Sequence, residues 1–502
     1  MVQENAWPLL GATSIAILAF AAISFAPGET GEYCRSLFDV LALALGISWI
    51  LAITLTPLLC VWFLKPPATS SATPYTGRLY GLYRATLVWC LKYRFAPVLL
   101  TLLCLGAAMA GFSKIPQNFF PPSTQKYFYV NYWKPQGEHI RSTDDDLGRI
   151  AAYLLTRPEV ENVTEFVGEG ALRFVLNYQY QRPNSAYGQL LVKVKSTSHI
   201  DNLIPHIQLW LEQNFPDSEP YCEKIMNGPP IEYLVETRFR GPDIDVLHNL
   251  AAQALAVMRK NPNTRDVRTN WRHPVQVLRP RFSEIQARPT GATRSDLAKS
   301  LQMNFGGLPA GLFRENDELI PIVLRPVASE RGSIHNLEAI QVWNSARHTF
   351  TPISQLITGI GHEWEDPIIC RHDQQRSITV QCNPIHGLAE PLRQSLRAEI
   401  EAIKLPPGYT MSWQGEYHES VAGQRPLEKA FPVCALGMFL ILVGLFNSIR
   451  KPLIIFLTLP LSIIGITGAL FVFSMPFGFM AIVGFLGLSG MLIKNARVRR
   501  SI

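Results

Sequence analysis

The chain has 502 residues, nearly half of them hydrophobic, and a formal charge of +7. That length allows several domains, and the charge invites a nucleic-acid reading. The basic residues, however, lie scattered or beside apolar segments and do not cluster with stacking aromatics, which argues against nucleic acid as a partner. The P-loop, GxSxG and HExxH patterns are all absent, so nothing points to an enzyme.

Charge is scarce at both ends and plentiful between. Uncharged intervals run from Glu4 to Glu29, Asp39 to Lys65, Arg94 to Lys114, Lys429 to Arg450 and Lys451 to Lys494. A membrane helix needs about 20 residues, and the last interval has room for two. Its "SMPFG" at 474–478 supplies Pro and Gly for a turn. Six transmembrane helices are therefore predicted, near 7–26, 40–64, 95–113, 430–448, 453–473 and 478–494. The opening "WPLLGATSIAILAFAAISFAP" lacks a basic flank before it and reads as a span, not a cleaved signal.

Basic residues in the short loops set the orientation. Lys65, Arg78, Arg84, Lys92 and Arg94 follow the second span, Arg450 and Lys451 follow the fourth, and Arg497, Arg499 and Arg500 follow the sixth. The positive-inside rule puts all of these on the cytoplasmic side and leaves residues 114–429 outside, in the periplasm of a bacterial inner membrane. Within the 65–94 loop, Leu79, Leu82, Tyr83, Leu87, Cys90 and Leu91 recur at three- and four-residue spacing. This reads either as a helix lying on the membrane surface or as an ordinary amphipathic packing helix. The closing segment 495–502 is a basic tail and reads as a truncation.

Residues 114–429 repeat one pattern four times: a strand, an amphipathic helix, a Pro-containing turn and a second strand. The leading strands are "KYFYVNYW", "GQLLVKVKS", "EYLVETRFRG" and "SITVQCNP". The expected fold class is an α+β membrane protein with repeated β-α-β, ferredoxin-like subdomains. Residues 275–365 differ: "FGGLPAGLFRENDELIPIVLRP" reads as a Gly-rich turn feeding a hairpin, a candidate docking element. Asp144–Asp146 is expected at a helix start, where carboxylates suit the dipole. His335, His348, His362 and His372 lack ligand spacing, so no metal site is expected. None of the eight cysteines forms a CxxC pair, and free thiols are expected, with a Cys370–Cys382 bridge left open.

The order of parts, with "LTPLLCVWFLKP", "KIPQNFFPPSTQKYFYV", "LPPGYTMSWQGEYHES", "NSIRKPLIIFLTLPLSIIG" and "GLSGMLIKN", resembles the C-terminal half of a resistance-nodulation-division (RND) efflux transporter of the multidrug branch. The resemblance implies family helices five to ten around the second periplasmic insert. It implies a homotrimer working with a periplasmic adaptor protein and an outer-membrane channel, driven by the proton gradient without a bound cofactor. Through "GLSGMLIKN", Lys494 matches the family's proton-relay lysine, which pairs with two aspartates of the fourth helix. No predicted span has an interior carboxylate, so alone the chain is expected to be inactive. The segment "VENVTEFVGEGALRFVLNYQYQ" matches the loop bordering the family's drug pocket and implies Phe166, Glu169, Arg173 and Phe174 as substrate-binding residues. Thr164, Glu169 and Ala171 stand where multidrug members place aromatics. Glu169 with Arg173 suits a polar or amphiphilic substrate, or forms a loop ion pair. Two other readings stay open: a membrane-anchored periplasmic scaffold, and the product of a broken reading frame.

Overall fold

In a computed structural model of the chain, residues 2–24, 29–63, 78–118, 120–121, 123–175, 177–327 and 337–495 are described. They form two compact units, Met1–Trp271 with Ile368–Ile502, and Arg272–Pro367.

The first unit opens with helices α1 (Val2–Ser24), α2 (Glu29–Phe63), α3 (Arg78–Lys92) and α4 (Phe95–Phe112). Among the described residues, four helices are long and apolar enough to cross a membrane: Arg35–Phe63, Phe95–Phe112, Glu416–Phe446 and Arg450–Val472. Two shorter apolar helices, Ala6–Ala22 and Phe479–Leu492, accompany them. Ile15 and Ala19 of α1 pack with Met438, Leu442, Ile455 and Leu459, so α1 lies among the C-terminal helices. Small residues permit the close approach: a Cβ on Gly490 would meet Ala19 at 3.2 Å.

The next segment is β1 (Tyr127–Trp133), α5 (Ile140–Leu155), β2 (Val160–Val167), β3 (Tyr187–Val194), α6 (Ile200–Asn214) and β4 (Tyr221–Lys224). Its four strands pair antiparallel in the order β2-β3-β1-β4. Phe128, Val130, Tyr132, Leu190 and Val192 alternate onto one face, where they meet Leu147, Ile150 and Leu154 of α5 and Ile204, Ile207 and Leu211 of α6. Asp144–Asp146 does not sit at the start of α5. The helix begins at Ile140 and its first turn has no acid. Asp146 instead takes a 2.7 Å ion pair from Lys134 and a hydrogen bond from the Tyr132 hydroxyl at 2.8 Å, tying the helix to β1.

β5 (Val235–Arg240), α7 (Ile244–Lys260) and β6 (Thr264–Thr269) begin a second sheet. The second unit follows and is built from β7 (Val275–Phe282), α8 (Glu284–Ala287), α9 (Arg294–Phe305), β8 (Leu308–Glu315), β9 (Glu318–Leu324), β10 (Gln341–Asn344), β11 (Thr349–Pro352) and β12 (Ile357–Glu365). There β7 pairs with β12, β10 with β11, and β8 with β9 as a solvent-exposed hairpin. The Thr293 hydroxyl caps α9, and Asp296 returns the bond to the Thr293 backbone.

The chain then completes the second sheet with β13 (Arg371–His372), β14 (Gln375–Pro384), α10 (Ala389–Glu401) and β15 (Thr410–Gly415). β14 lies between β5 on one side and β6 with β13 on the other, and β15 flanks β5. Counting β5, β6, β14 and β15 as first to fourth, the order is second-third-first-fourth, as in the first sheet. The four repeats therefore combine in pairs, two to a sheet. Helices α11 (Glu416–Phe446), α12 (Arg450–Thr458), α13 (Ser462–Val472) and α14 (Phe479–Asn495) end the described chain. Among the described residues, Cys370 and Cys382 are free thiols.

Candidate functional site

An antiparallel sheet covered by helices on one face commonly leaves the other to water. Here the second face of the first sheet is also closed. It carries Tyr129, Asn131 and Trp133 from β1, Tyr187 and Gln189 from β3, and Tyr221 from β4, all buried. The loop after β2 covers part of it. Buried amides and hydroxyls need partners, since one left unsatisfied costs about 1–3 kcal/mol. The Asn131 carboxamide oxygen accepts from the Tyr187 hydroxyl at 2.7 Å and from Gln189 Nε2 at 2.9 Å. Gln189 Oε1 accepts in turn from the Tyr178 hydroxyl at 2.9 Å and from the Ala171 backbone N–H at 3.0 Å. One chain of hydrogen bonds thus fixes the covering loop to the sheet.

Between this face and the second sheet lies a cavity of about 340 Å³, with Tyr129, Asn177, Tyr178, Glu223, Arg265 and Asn383 in its wall. Glu223 stands opposite Tyr129 in the β1–β4 register, so the carboxyl and the phenol share one face. Burial first, then the carboxylates of Glu232 and Asp266, push the Glu223 carboxyl up to about 8, while Arg265 and Arg268 oppose that rise. Near neutrality much of it is therefore protonated. Burial likewise pushes the Tyr178 phenol up to about 12 and Glu236, on β5, up to about 7. Glu236 accepts from Gln381 Nε2 at 2.8 Å, which favours its ionised form.

The two sheets are clasped beside this cavity by Arg268 of β6, whose side chain is only 6% exposed. It donates to Glu219 at 3.0 Å and lies over the rings of Tyr221 at 4.6 Å and Tyr233 at 5.0 Å. A planar guanidinium suits both contacts at once, hydrogen bonding along its edge and stacking on its face.

The structure gathers part of the sequence-predicted site here. Phe166, on β2, packs against the cluster of Tyr129, Ala171, Tyr178 and Ile225. Phe174 is 45% exposed, and its ring lies 6.4 Å from that of Tyr129 and 5.5 Å from that of Tyr178. Neither phenylalanine lines the cavity; both pack against the aromatic cluster whose Tyr129 and Tyr178 do. Glu169 is exposed and accepts from the Tyr180 hydroxyl at 3.2 Å, and Arg173 is exposed on the same loop. The backbone of Lys494 belongs to α14, while its side chain lies outside what is described. Sequence reasoning missed Tyr129, Glu223 and Arg268. One signal was available: "YFYVNYW" has large side chains at both odd and even positions, as a strand buried on both faces does.

Residues 2–498 match the AcrB/AcrD/AcrF family. The chain belongs to that family. It is an RND efflux transporter chain, a class of transporters and not of enzymes. Among its relatives are the cobalt-zinc-cadmium resistance protein CzcA of Cupriavidus metallidurans, 22% identical over 99% of this chain and 48% of the relative, and the multidrug/solvent efflux pump membrane transporter MepB of Pseudomonas putida, 23% identical over 97% of this chain and 48% of the relative. A crystal structure of a heavy metal efflux pump shares the fold, with a TM-score of 0.76 at 19% identity, covering 98% of this chain and 51% of that one. The chain spans about half the length of the curated relatives it matches.

Proposed function

We propose that this chain supplies the C-terminal half of a proton-driven exporter of the bacterial inner membrane, with six spans and residues 114–429 in the periplasm. In this reading the two sheets are ferredoxin-like subdomains, and the assembly is a homotrimer joined to a periplasmic adaptor protein and an outer-membrane channel. The observation that carries it is the walled cavity between two βαββαβ layers in a chain with membrane-length apolar helices. Its lining joins tyrosines and amides to Asp201, Glu223, Lys224, Glu232 and Arg265, which suits an amphiphilic molecule with a polar or cationic end. Phe166 and Phe174 would border the path of that substrate, with Glu169 and Arg173 at its exposed rim. A divalent-cation cargo is the second reading, favoured by the name of CzcA.

Lys494 is the proposed relay cation. A buried ammonium is tolerable only when paired, and its use in a pump lies in changing partner as carboxylates take up protons. The uncharged stretches hold no interior carboxylate, so the chain by itself should move nothing. The test is accumulation of a fluorescent amphiphilic dye, and of Co²⁺ and Zn²⁺, in cells lacking other pumps. The chain alone should leave accumulation unchanged. Joined to the family's remaining helices with their aspartates, it should lower dye accumulation, and Lys494→Ala should abolish that effect without loss of expression. Lowered metal with unchanged dye would select the cation reading. Efflux by the chain alone, or full activity of the Lys494→Ala pump, would refute the relay assignment.

A further inference from the structure

We propose that the cleft between the two sheets is a proton-operated latch: while the Glu223 carboxyl holds a proton the two faces stay together, and its ionisation parts them. The cleft is the one to which the proposed function assigns the substrate, and the link of the latch to transport rests on that reading. Three observations lead there. First, Glu223 has open space before it and no partner. It lines the cavity of about 340 Å³ and, among the described residues, takes no hydrogen bond and no ion pair. Second, the cations around it are already engaged. Arg268 donates to Glu219 at 3.0 Å, Arg265 stands 3.7 Å from Asp266, and Lys224, the next residue on β4, pairs with Asp201 of α6. Third, the remaining charge is acidic. Glu232, in the segment that joins the two layers, and Asp266 of β6 both act on Glu223. Tyr129 of β1 and Tyr178 of the covering loop complete its surroundings, and burial pushes both phenols up, that of Tyr178 to about 12.

A carboxylate formed in the closed cleft would be buried without a counter-charge of its own, a far costlier state than the same group in water. Two reliefs exist: the group keeps its proton, or water enters. Parting the faces hydrates Glu223 and returns it toward the ordinary carboxylate range. The closed form therefore binds the proton more tightly than the open one. Protons favour closure, and closure weakens as pH rises through about 8. The Arg268 guanidinium keeps its charge throughout, so its clasp on Glu219 joins the layers in both states. With residues 114–429 outside the membrane, the latch responds to protons in the periplasm and not to those in the cytoplasm.

The test uses the full detergent-solubilised chain, its native thiols replaced by serine, with spin labels at Asn202→Cys and His386→Cys. Both positions are exposed, and each adjoins a residue of the cavity wall, Asp201 on α6 and Ile385 on the opposite side. The second substitution also removes a histidine beside the mouth from the titration. Pulsed dipolar spectroscopy should give a label distance that lengthens as pH rises from about 6 to about 10, with its midpoint near 8. Glu223→Gln, which cannot ionise, should keep the short distance throughout. Glu236→Gln should leave the response in place, because Gln381 holds that carboxyl within the second sheet. Amide hydrogen exchange of residues 221–226 in the chain with its native thiols, corrected for the intrinsic effect of pH, should quicken over the same range and not in Glu223→Gln. This second readout decides the matter if the serine-substituted chain does not fold. A cleft indifferent to pH in both readouts, a response that survives Glu223→Gln, or one that vanishes in Glu236→Gln would overturn the proposal. No transport is measured, so a fixed cleft would leave the exporter reading standing, and a chain that exports nothing would leave the latch open to the same test.

Discussion

Glu223 shows how a residue gains its chemistry from distant elements. In sequence it is one acid in "YCEKI". In the fold it lies opposite Tyr129, within the influence of Glu232, Asp266, Arg265 and Arg268, and its carboxyl rises from 4.5 to about 8. None of those neighbours is close enough in sequence for spacing to reveal it. The consequence for stability has a definite sign. With its folded value raised, the carboxyl binds a proton more tightly folded than unfolded, so its contribution is fully present below pH 4.5 and is lost as pH rises through about 8. Glu223→Gln keeps the shape and removes the ionisation. The apparent Tm of the detergent-solubilised variant should exceed that of the native chain at pH 8 and converge with it near pH 4.5. A variant that is less stable than the native chain at pH 8, with no pH trend, would show that the carboxyl is ionised and paired in the fold.

At the scale of elements, local periodicity was legible and partner choice was not. The alternation of β5 and the 3.6-residue pattern of α5, α7 and α10 follow from apolar spacing alone. The pairing of Val235 with both Cys382 and Gly415 does not, because no local rule selects partners across an inserted unit. Helix starts were misplaced for a different reason. Charge marks where a helix meets the membrane, not where it begins, so α11 starts at Glu416 although its uncharged stretch begins after Lys429. The joint before α11 depends on Gly415. Its φ is +66°, and a Cβ there would lie 2.6 Å from the Leu234 carbonyl oxygen and 2.8 Å from that of Tyr233. Backbone oxygens in a sheet cannot swing aside, and the conformation itself disfavours any side chain by about 1–3 kcal/mol. Gly415→Ala should lower the apparent Tm by several degrees, whereas Gly444→Ala, with no atom within 4 Å, should not. Equal melting of the two variants would mean that the joint is not constrained.

At the scale of the whole molecule, what the sequence carried was the alternation of apolar and mixed segments and the placing of its basic residues. Neither requires tertiary contacts, because the bilayer selects long uncharged helices and retains Lys and Arg on the cytoplasmic side. The cavity was illegible for the opposite reason: its wall comes from residues between Tyr129 and Gly387, assembled only when two sheets meet. The orientation is open to a direct measurement that depends on none of the site chemistry. Single cysteines would be introduced at Ser71, Asp145, Lys404 and Ser448, with the native thiols replaced by serine, and intact cells treated with a membrane-impermeant thiol reagent. Asp145→Cys and Lys404→Cys lie in the mixed segment between the third and fourth uncharged intervals and should label from outside. Ser71→Cys, in the basic 65–94 loop, and Ser448→Cys, beside Arg450 and Lys451, should label only after the cells are opened. Retention of basic loops is a bias exerted during insertion, so adding charge on the other side provides a sharper arm. Several lysines placed between the first two uncharged intervals, within Glu29–Asp39, should lower the fraction of chains whose Asp145→Cys site labels from outside. If Ser71→Cys labels in intact cells while Asp145→Cys does not, the chain is inverted, the cavity faces the cytoplasm, and the periplasmic placing of residues 114–429 in the proposed function fails with it.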